Sequence, residues 1–347
     1  MYQMGFFEVD EVYARIDAHN PLKKIQDHVN WSGLEKIMEQ VVFSANNNGG
    51  KGGRKPLCGL MMAKIFILQS LYNLSDDAVE FMIEDRLSFK RFLKIPVSKK
   101  APDAKTIWVW RERVKALGLE SVIFEWFLGE VANAGYVAKE GQIVDATFVP
   151  THKPTNKHKK QLEKGEPLTK HQEQQKDKDA TFTKKSGISY HGYKNHTVVD
   201  VKHKIIQNFD VTTASIHDSG VFEGILSAKK LDKAENGVWA DSAYRSTQAE
   251  KMLLGKGLIS HIHERAYRNT PLTAQQKADN KEKSRVRARV EHVYGHMETS
   301  MGGMMIHTLT LGQSQSKNRL QKPCLQHLSL CFLGVKITKS ACMRLKI

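Results

Sequence analysis

Acidic charge is short in this chain relative to basic charge. It carries 37 Asp and Glu against 53 Lys and Arg, for a formal net charge of +16. That balance suits a polyanionic partner such as DNA or RNA, although an unspecific basic surface would read the same way. Cysteine is scarce too. Cys58, Cys324, Cys331 and Cys342 form no C-x2-C pair, which argues against a zinc ribbon and a disulfide framework. No apolar run approaches the roughly 20 residues a membrane span needs. The start, Met-Tyr-Gln-Met-Gly-Phe-Phe, lacks the basic and apolar regions of a signal peptide. A cytoplasmic protein with no membrane partner is expected. What is present is a globular composition, 40% hydrophobic over 347 residues, enough for two domains with separate cores.

Helical patterning fills the first part. Leu57, Leu60, Met61, Ile65, Leu68 and Tyr72 recur at helical spacing and predict a buried helix. Ser32 with Glu35 predicts a capping box, and Ser75 an N-cap for a helix that Arg86–Leu93 continues up to Pro96. Another helix begins at Pro102-Asp103, with Trp108 and Trp110 read as packing residues. Residues 1–130 are expected to form an all-helical DNA-binding or dimerisation domain. A helix-turn-helix and a plain bundle fit it about equally. The Asn46–Pro56 loop is no Walker A motif, because no G-K-[ST] closes it. With Arg54 and Lys55 it is either an arm on a phosphate backbone or a solvated linker.

Glycine punctuation and β-branched residues then announce strands, first at Gly141–Val149. Residues 150–186 are lysine-rich with almost no aliphatic side chains, and predict a mobile basic insertion offering Lys157, Lys159 and Lys160 to phosphates. A hairpin follows over Ile188–Val211, then helices alternating with strands. The fold class expected is α/β, a mixed sheet flanked by helices and preceded by the helical domain.

Three carboxylates stand out by setting. Asp145 follows Gln142-Ile143-Val144, Asp241 follows Val238-Trp239-Ala240, and Glu291 sits in a basic helix between Arg289-Val290 and His292-Val293. Two aspartates at strand ends and a helical glutamate suit hard divalent cations on oxygen ligands beside a phosphodiester. Two Mg²⁺ ions about 3.5–4 Å apart can activate water and stabilise a leaving 3′-oxygen. Each carboxylate alone reads as a solvated surface group; three in these contexts together do not. Arg287, four residues before Glu291, is expected to share its helix face and to orient it or neutralise a phosphate.

The trio, in this order, resembles the catalytic triad of DDE transposases, nearest to the insertion-sequence-five family. The resemblance runs from about Trp31 to about Ile306 and rests on Val144-Asp145-Ala146-Thr147, Asp241-Ser242-Ala243-Tyr244, and Arg287 with Glu291. Insertion-sequence-four relatives often have a Tyr three residues before that Arg and a Lys seven after the Glu; here Ser284 and Glu298 stand there. The resemblance implies an RNase H-like domain over 135–311 with Asp145, Asp241 and Glu291 as catalytic and metal-binding residues. It implies two Mg²⁺ ions, with Mn²⁺ as the alternative. It also implies terminal inverted repeats and target DNA as partners, a homodimer or higher oligomer, and action at the nucleoid. Arg287, Tyr244 and His292 are expected to support the site, and Arg285 and Arg289 to contact DNA. The rival readings are a catalytically impaired DNA-binding remnant and an RNase H-like nuclease outside transposition.

Other candidates are weaker. Asp218 reads as an N-cap with a supporting role, and His292 with His296 lacks a third zinc ligand. The tail from 312 to 347 departs from the family, and Pro323 interrupts any helix there. Permitted codons for Gly312–Lys336 read one base later can encode a basic amphipathic helix, so a frameshift near Leu311 is the expectation.

Overall fold

The computed structural model describes residues 8–45, 57–136, 141–151, 181–185, 187–226, 236–267, 270–299 and 301, with scattered positions between 161 and 180. Arg54, Lys55, Lys157, Lys159, Lys160 and the tail from 312 lie outside the described residues. The chain divides into two compact units, one running to Gly135 and the other starting at Tyr136.

The first unit is helical: α1 (Glu8–His19), α2 (Pro21–His28), α3 (Ser32–Ala45), α4 (Gly59–Tyr72), α5 (Asp76–Asp85), α6 (Leu87–Leu93), α7 (Ala104–Ala116) and α8 (Leu119–Asn133). α4 buries Met62, Ala63, Ile65, Phe66, Ile67 and Leu68, so apolar residues surround most of its circumference and it forms the centre of the unit. Ser75 caps α5 by accepting from the amide of Ala78, and Asp103 caps α7 from Thr106. Three expectations change. The helix capped by Ser75 does not continue to Leu93: Arg86 is extended, and Leu87–Leu93 is a separate helix. Ser32 is the first residue of α3, not its cap, and its hydroxyl donates to Asn30. Trp110 is buried, but Trp108 is 49% exposed. α7 turns Ile107, Trp110 and Val114 inward, and Trp108 lies roughly 100° round the helix from Ile107.

The second unit is built on a six-stranded sheet of β1 (Gln142–Pro150), β2 (Thr181–Lys185), β3 (Ile188–Asp200), β4 (Ile206–Thr213), β5 (Gly237–Ala240) and β6 (Ile259–Ile262). β3 lies antiparallel to β1, β2 and β4, while β5 runs parallel to β1 and β6 parallel to β5. With β2 set aside, the order β4-β3-β1-β5-β6 with only β3 reversed is an RNase H-like mixed sheet. The expected insertion is shorter than its predicted span, because Thr181–Lys185 is β2 and pairs with β3 from Ile188 to Gly192. Two Thr and two Lys around Phe182 can serve an edge strand, where one row of side chains faces water. Gly192 marks where β3 passes from β2 to β4. Its φ is +144°, and a Cβ there would stand 2.3 Å from the Val149 carbonyl oxygen.

Helices α9 (Asp218–Ile225) and α10 (Thr247–Gly255) close one face of the sheet. Phe222, Ile225, Ala249 and Leu253 pack there with Val144, Val198, Val238, Ala240 and Ile262. The opposite face carries α11 (Ala274–Arg287), which packs on β1 and β5, and α12 (Arg289–Thr299), which packs on β1. Among the described residues no helix is long and apolar enough to cross a membrane.

Candidate active site at the strand ends

Strand register places the two aspartates. Val144 pairs with Ala240 at the last position of β5, so Asp145 and Asp241 are the next residues on neighbouring parallel strands. Side chains alternate between faces along extended chain, so both leave the apolar face of Val144 and Ala240 for the face of α11 and α12. Asp145 is not at a strand end as expected. It is the fourth residue of β1, which runs on to Pro150. The opening comes from β5, which stops at Ala240 and leaves Asp145 beside the turn that follows. That turn is a 3-10 segment, Ser242–Tyr244, and the Ser242 hydroxyl donates to Asp241 Oδ1 at 3.0 Å.

Glu291 comes from the other side. The single helix expected to carry Arg287 and Glu291 on one face is two helices, and α11 ends at Arg287 before α12 begins at Arg289. The step between them is tight: the Glu291 amide donates to the carbonyl of Ala288, three residues back. Separate anchors hold the two sides of the step. Arg287 Nη1 donates to Asp145 Oδ2 at 2.9 Å, and Arg289 Nη1 to the carbonyl of Val201 at 2.7 Å. Arg287 therefore grips Asp145, not Glu291. One turn beyond Glu291, the Tyr294 hydroxyl donates to the main-chain carbonyl of Asp145 at 3.0 Å. Val290, Val293, Tyr294 and Met297 are buried, which fixes the rotation of α12 and leaves Glu291 in its exposed first turn.

α11 buries no residue. Polar groups fasten it across the carboxyl ends of three strands. Arg287 reaches Asp145 after β1's pairing with β5 ends. Lys283 donates to the carbonyl of Ile262 at 3.0 Å, and Asn280 exchanges two hydrogen bonds with the main chain of Glu264. Ser284 Oγ lies 3.4 Å from His263 Nε2. His263 escaped the sequence reading, although it follows Ile259-Ser260-His261-Ile262 much as Asp241 follows Val238-Trp239-Ala240.

The electrostatics separate the two aspartates. Burial pushes Asp145 up to about 6; Arg287 opposes this, while Glu291 and Asp241 add to it. Burial also acts on Asp241, but the Ser242 hydroxyl, Arg287 and the amides of Ala243 and Ser242 outweigh it and hold that carboxyl below its usual value. Burial, then Arg287, hold His263 below its usual value. Tyr244 is buried against Phe222, and its hydroxyl has no hydrogen-bond partner among the described residues. Arg285, Arg289, Glu291 and His292 are exposed. Asp218 is not the N-cap of α9. His217 takes that place, and Asp218 instead accepts from Lys194 at 3.0 Å.

All three candidate carboxylates interact electrostatically here, and their oxygens are the donor type a hard cation prefers. Among the described residues, however, no three His, Cys, Asp or Glu side chains are grouped closely enough to hold a metal ion. Arg287 sets a positive charge against Asp145.

Residues 138–319 match a family model described as a transposase DDE domain, and residues 10–113 one described as a transposase domain (DUF772). Among solved structures, the cryo-EM structure of a piggyBac transposase synaptic complex with hairpin DNA is similar at 11% sequence identity. It aligns over 92% of this chain and 76% of that one, with a TM-score of 0.47.

Proposed function

The chain belongs to the family of transposases with a DDE domain, and we propose from that premise that it cleaves the ends of a mobile DNA element and joins them to target DNA. The observation that carries the reading is that Asp145 and Asp241 follow the last paired residues of β1 and β5, with α12 pinned to Asp145 by Tyr294 and Glu291 near enough to act on its charge. The departures at Ser284 and Glu298 support the insertion-sequence-five branch within the family.

The family implies a divalent metal, and the carboxylate oxygens here suit a hard cation in kind, although among the described residues no three are grouped closely enough to hold it. Asp145, Asp241 and Glu291 would hold it, as two Mg²⁺ ions with Mn²⁺ as the alternative. When bound, such ions supply an activated water and charge stabilisation for the leaving 3′-oxygen. The remaining roles belong to the protein. Tyr294 holds the main chain of Asp145, and Ser242 holds the carboxylate of Asp241. Arg287 compensates the charge of Asp145, and its guanidinium is at hand for a phosphate oxygen. Arg285, Arg289 and His292 offer further cationic or polar contacts along the exposed side of α11 and α12. Tyr244 supports the turn after Asp241 by packing on Phe222. The helical domain over 1–130 would bind the terminal inverted repeats and make the contacts of a homodimer or higher oligomer, at the nucleoid. Arg54, Lys55, Lys157, Lys159 and Lys160 would meet phosphates.

The test is Asp241→Asn on a supercoiled plasmid carrying the DNA that flanks the gene. Mg²⁺-dependent nicking should fall by at least about a hundredfold, since a metal ligand contributes several kcal/mol at the transition state. Retention of the same DNA in a gel should stay unchanged. Nicking at the wild-type rate would remove Asp241 from the reaction centre. A wild-type chain that binds but never nicks would be a DNA-binding remnant, the reading that the atypical tail favours.

A further inference from the structure

Register carries the row of strand ends one residue further than the carboxylates. Val144 pairs with Ala240, and Ala240 pairs with Ile262. Asp145, Asp241 and His263 therefore stand side by side, Asp145 on β1 just past its pairing with β5, and Asp241 and His263 just past the ends of β5 and β6. The His263 amide donates to the Ala240 carbonyl at 3.1 Å, which holds its backbone against the residue before Asp241. The ring is half-buried and lies under α11.

Hydrogen bonding on α11 selects its tautomer. Ser284 has one hydroxyl hydrogen, and it donates to the Asn280 carbonyl at 2.8 Å. Towards His263 the Ser284 oxygen is left as an acceptor, so the contact at 3.4 Å calls for the hydrogen on Nε2. In the neutral ring Nδ1 is then an acceptor. On a residue that stands beside Asp241 and feels its charge, such an acceptor is suited to a nucleophile that carries hydrogen, namely water or a 3′-hydroxyl, and not to a phosphate oxygen, which itself accepts.

We propose that His263 is a further substrate-contacting residue of the reaction centre, whose Nδ1 accepts a hydrogen bond from the attacking hydroxyl group and orients it beside Asp241. It makes and breaks no covalent bond. The assignment rests on Asp145, Asp241 and Glu291 being that centre.

Asparagine and glutamine at this position separate orientation from support. His263→Asn places an amide oxygen near where Nδ1 sits, while His263→Gln reaches to the Nε2 position and keeps the contact with Ser284. With the same plasmid and Mg²⁺, His263→Ala should nick at least about tenfold more slowly, the loss of one oriented hydrogen bond. DNA retention and the unfolding temperature should match the wild type. His263→Asn should recover most of the rate and His263→Gln little of it. Should the alanine variant fail to fold, the Asn and Gln variants decide alone. Wild-type nicking by His263→Ala overturns the proposal. So does recovery by Gln as good as by Asn, which would make His263 a strap for α11, and so does failure of both in a normally folded protein. Asp241→Asn run alongside keeps the two readings apart, because its retained activity would sink the reaction centre and not His263 alone.

Discussion

Asp145 keeps its charge against its surroundings. Burial pushes its carboxyl up to about 6, above the ordinary Asp value, so the folded protein binds a proton there more readily than the unfolded chain. A raised value of this kind stabilises the fold below about pH 4, and the contribution is lost as pH rises through about 6. The shift corresponds to about 2–3 kcal/mol at most. Asp145→Asn should therefore flatten the fall in unfolding free energy between pH 4 and pH 7 seen in the wild type. Added Mg²⁺ should raise the unfolding temperature of the wild type at pH 7 and leave the Asn variant unmoved. Parallel pH profiles for the two proteins would show that Arg287 compensates Asp145 fully. Asp241, held low by Ser242 and Arg287, should contribute no such fall in that window.

At the scale of elements, α11 and α12 are held in opposite ways. α12 buries Val290, Val293, Tyr294 and Met297, and needs the Tyr294 hydroxyl only for its register on β1. Tyr294→Phe should cost about 1 kcal/mol, one net hydrogen bond, while nicking slows by more than that loss of stability explains. If rate and stability fall together, the hydroxyl is only a stabilising contact. α11 buries nothing and depends on Asn280, Lys283 and Arg287. Asn280→Ala removes both bonds to Glu264, so amide exchange should quicken along α11 while β1 and β3 keep their protection. Equal exchange in the two proteins would mean that the polar contacts do not hold the helix. A helix fastened by polar groups over carboxylates is also one that charge can rearrange, since Arg287 must share Asp145 with any cation that arrives.

Over the whole molecule, the excess of Lys and Arg sets how the protein meets a polyanion. DNA retention should weaken steeply with salt. Neutralising Lys157, Lys159 and Lys160 should flatten the log–log slope by roughly 0.9 for each lysine that contacts a phosphate. An unchanged slope would make that segment a solvated linker. The division at Gly135 and Tyr136 separates a unit whose core is the all-round apolar α4 from one whose core lies between a sheet and α9 and α10.

What the sequence determined by itself was local. Helical spacing in Leu57–Tyr72, the cap at Ser75, the helix start at Pro102-Asp103, and the apolar runs before Asp145 and Asp241 depend on neighbours a few residues away, and those neighbours are visible in the chain. The sequence also carried the family resemblance, through the settings of three carboxylates. Tertiary structure decided what depends on partners far along the chain. That β5 stops beside Asp145 is a matter of register between strands almost a hundred residues apart. That Arg287 grips Asp145 and not Glu291 follows from a tight step at Ala288, which no Gly or Pro announces. His263 could not be read as a neighbour of Asp241, because only the pairing of β5 with β6 brings the two strand ends together.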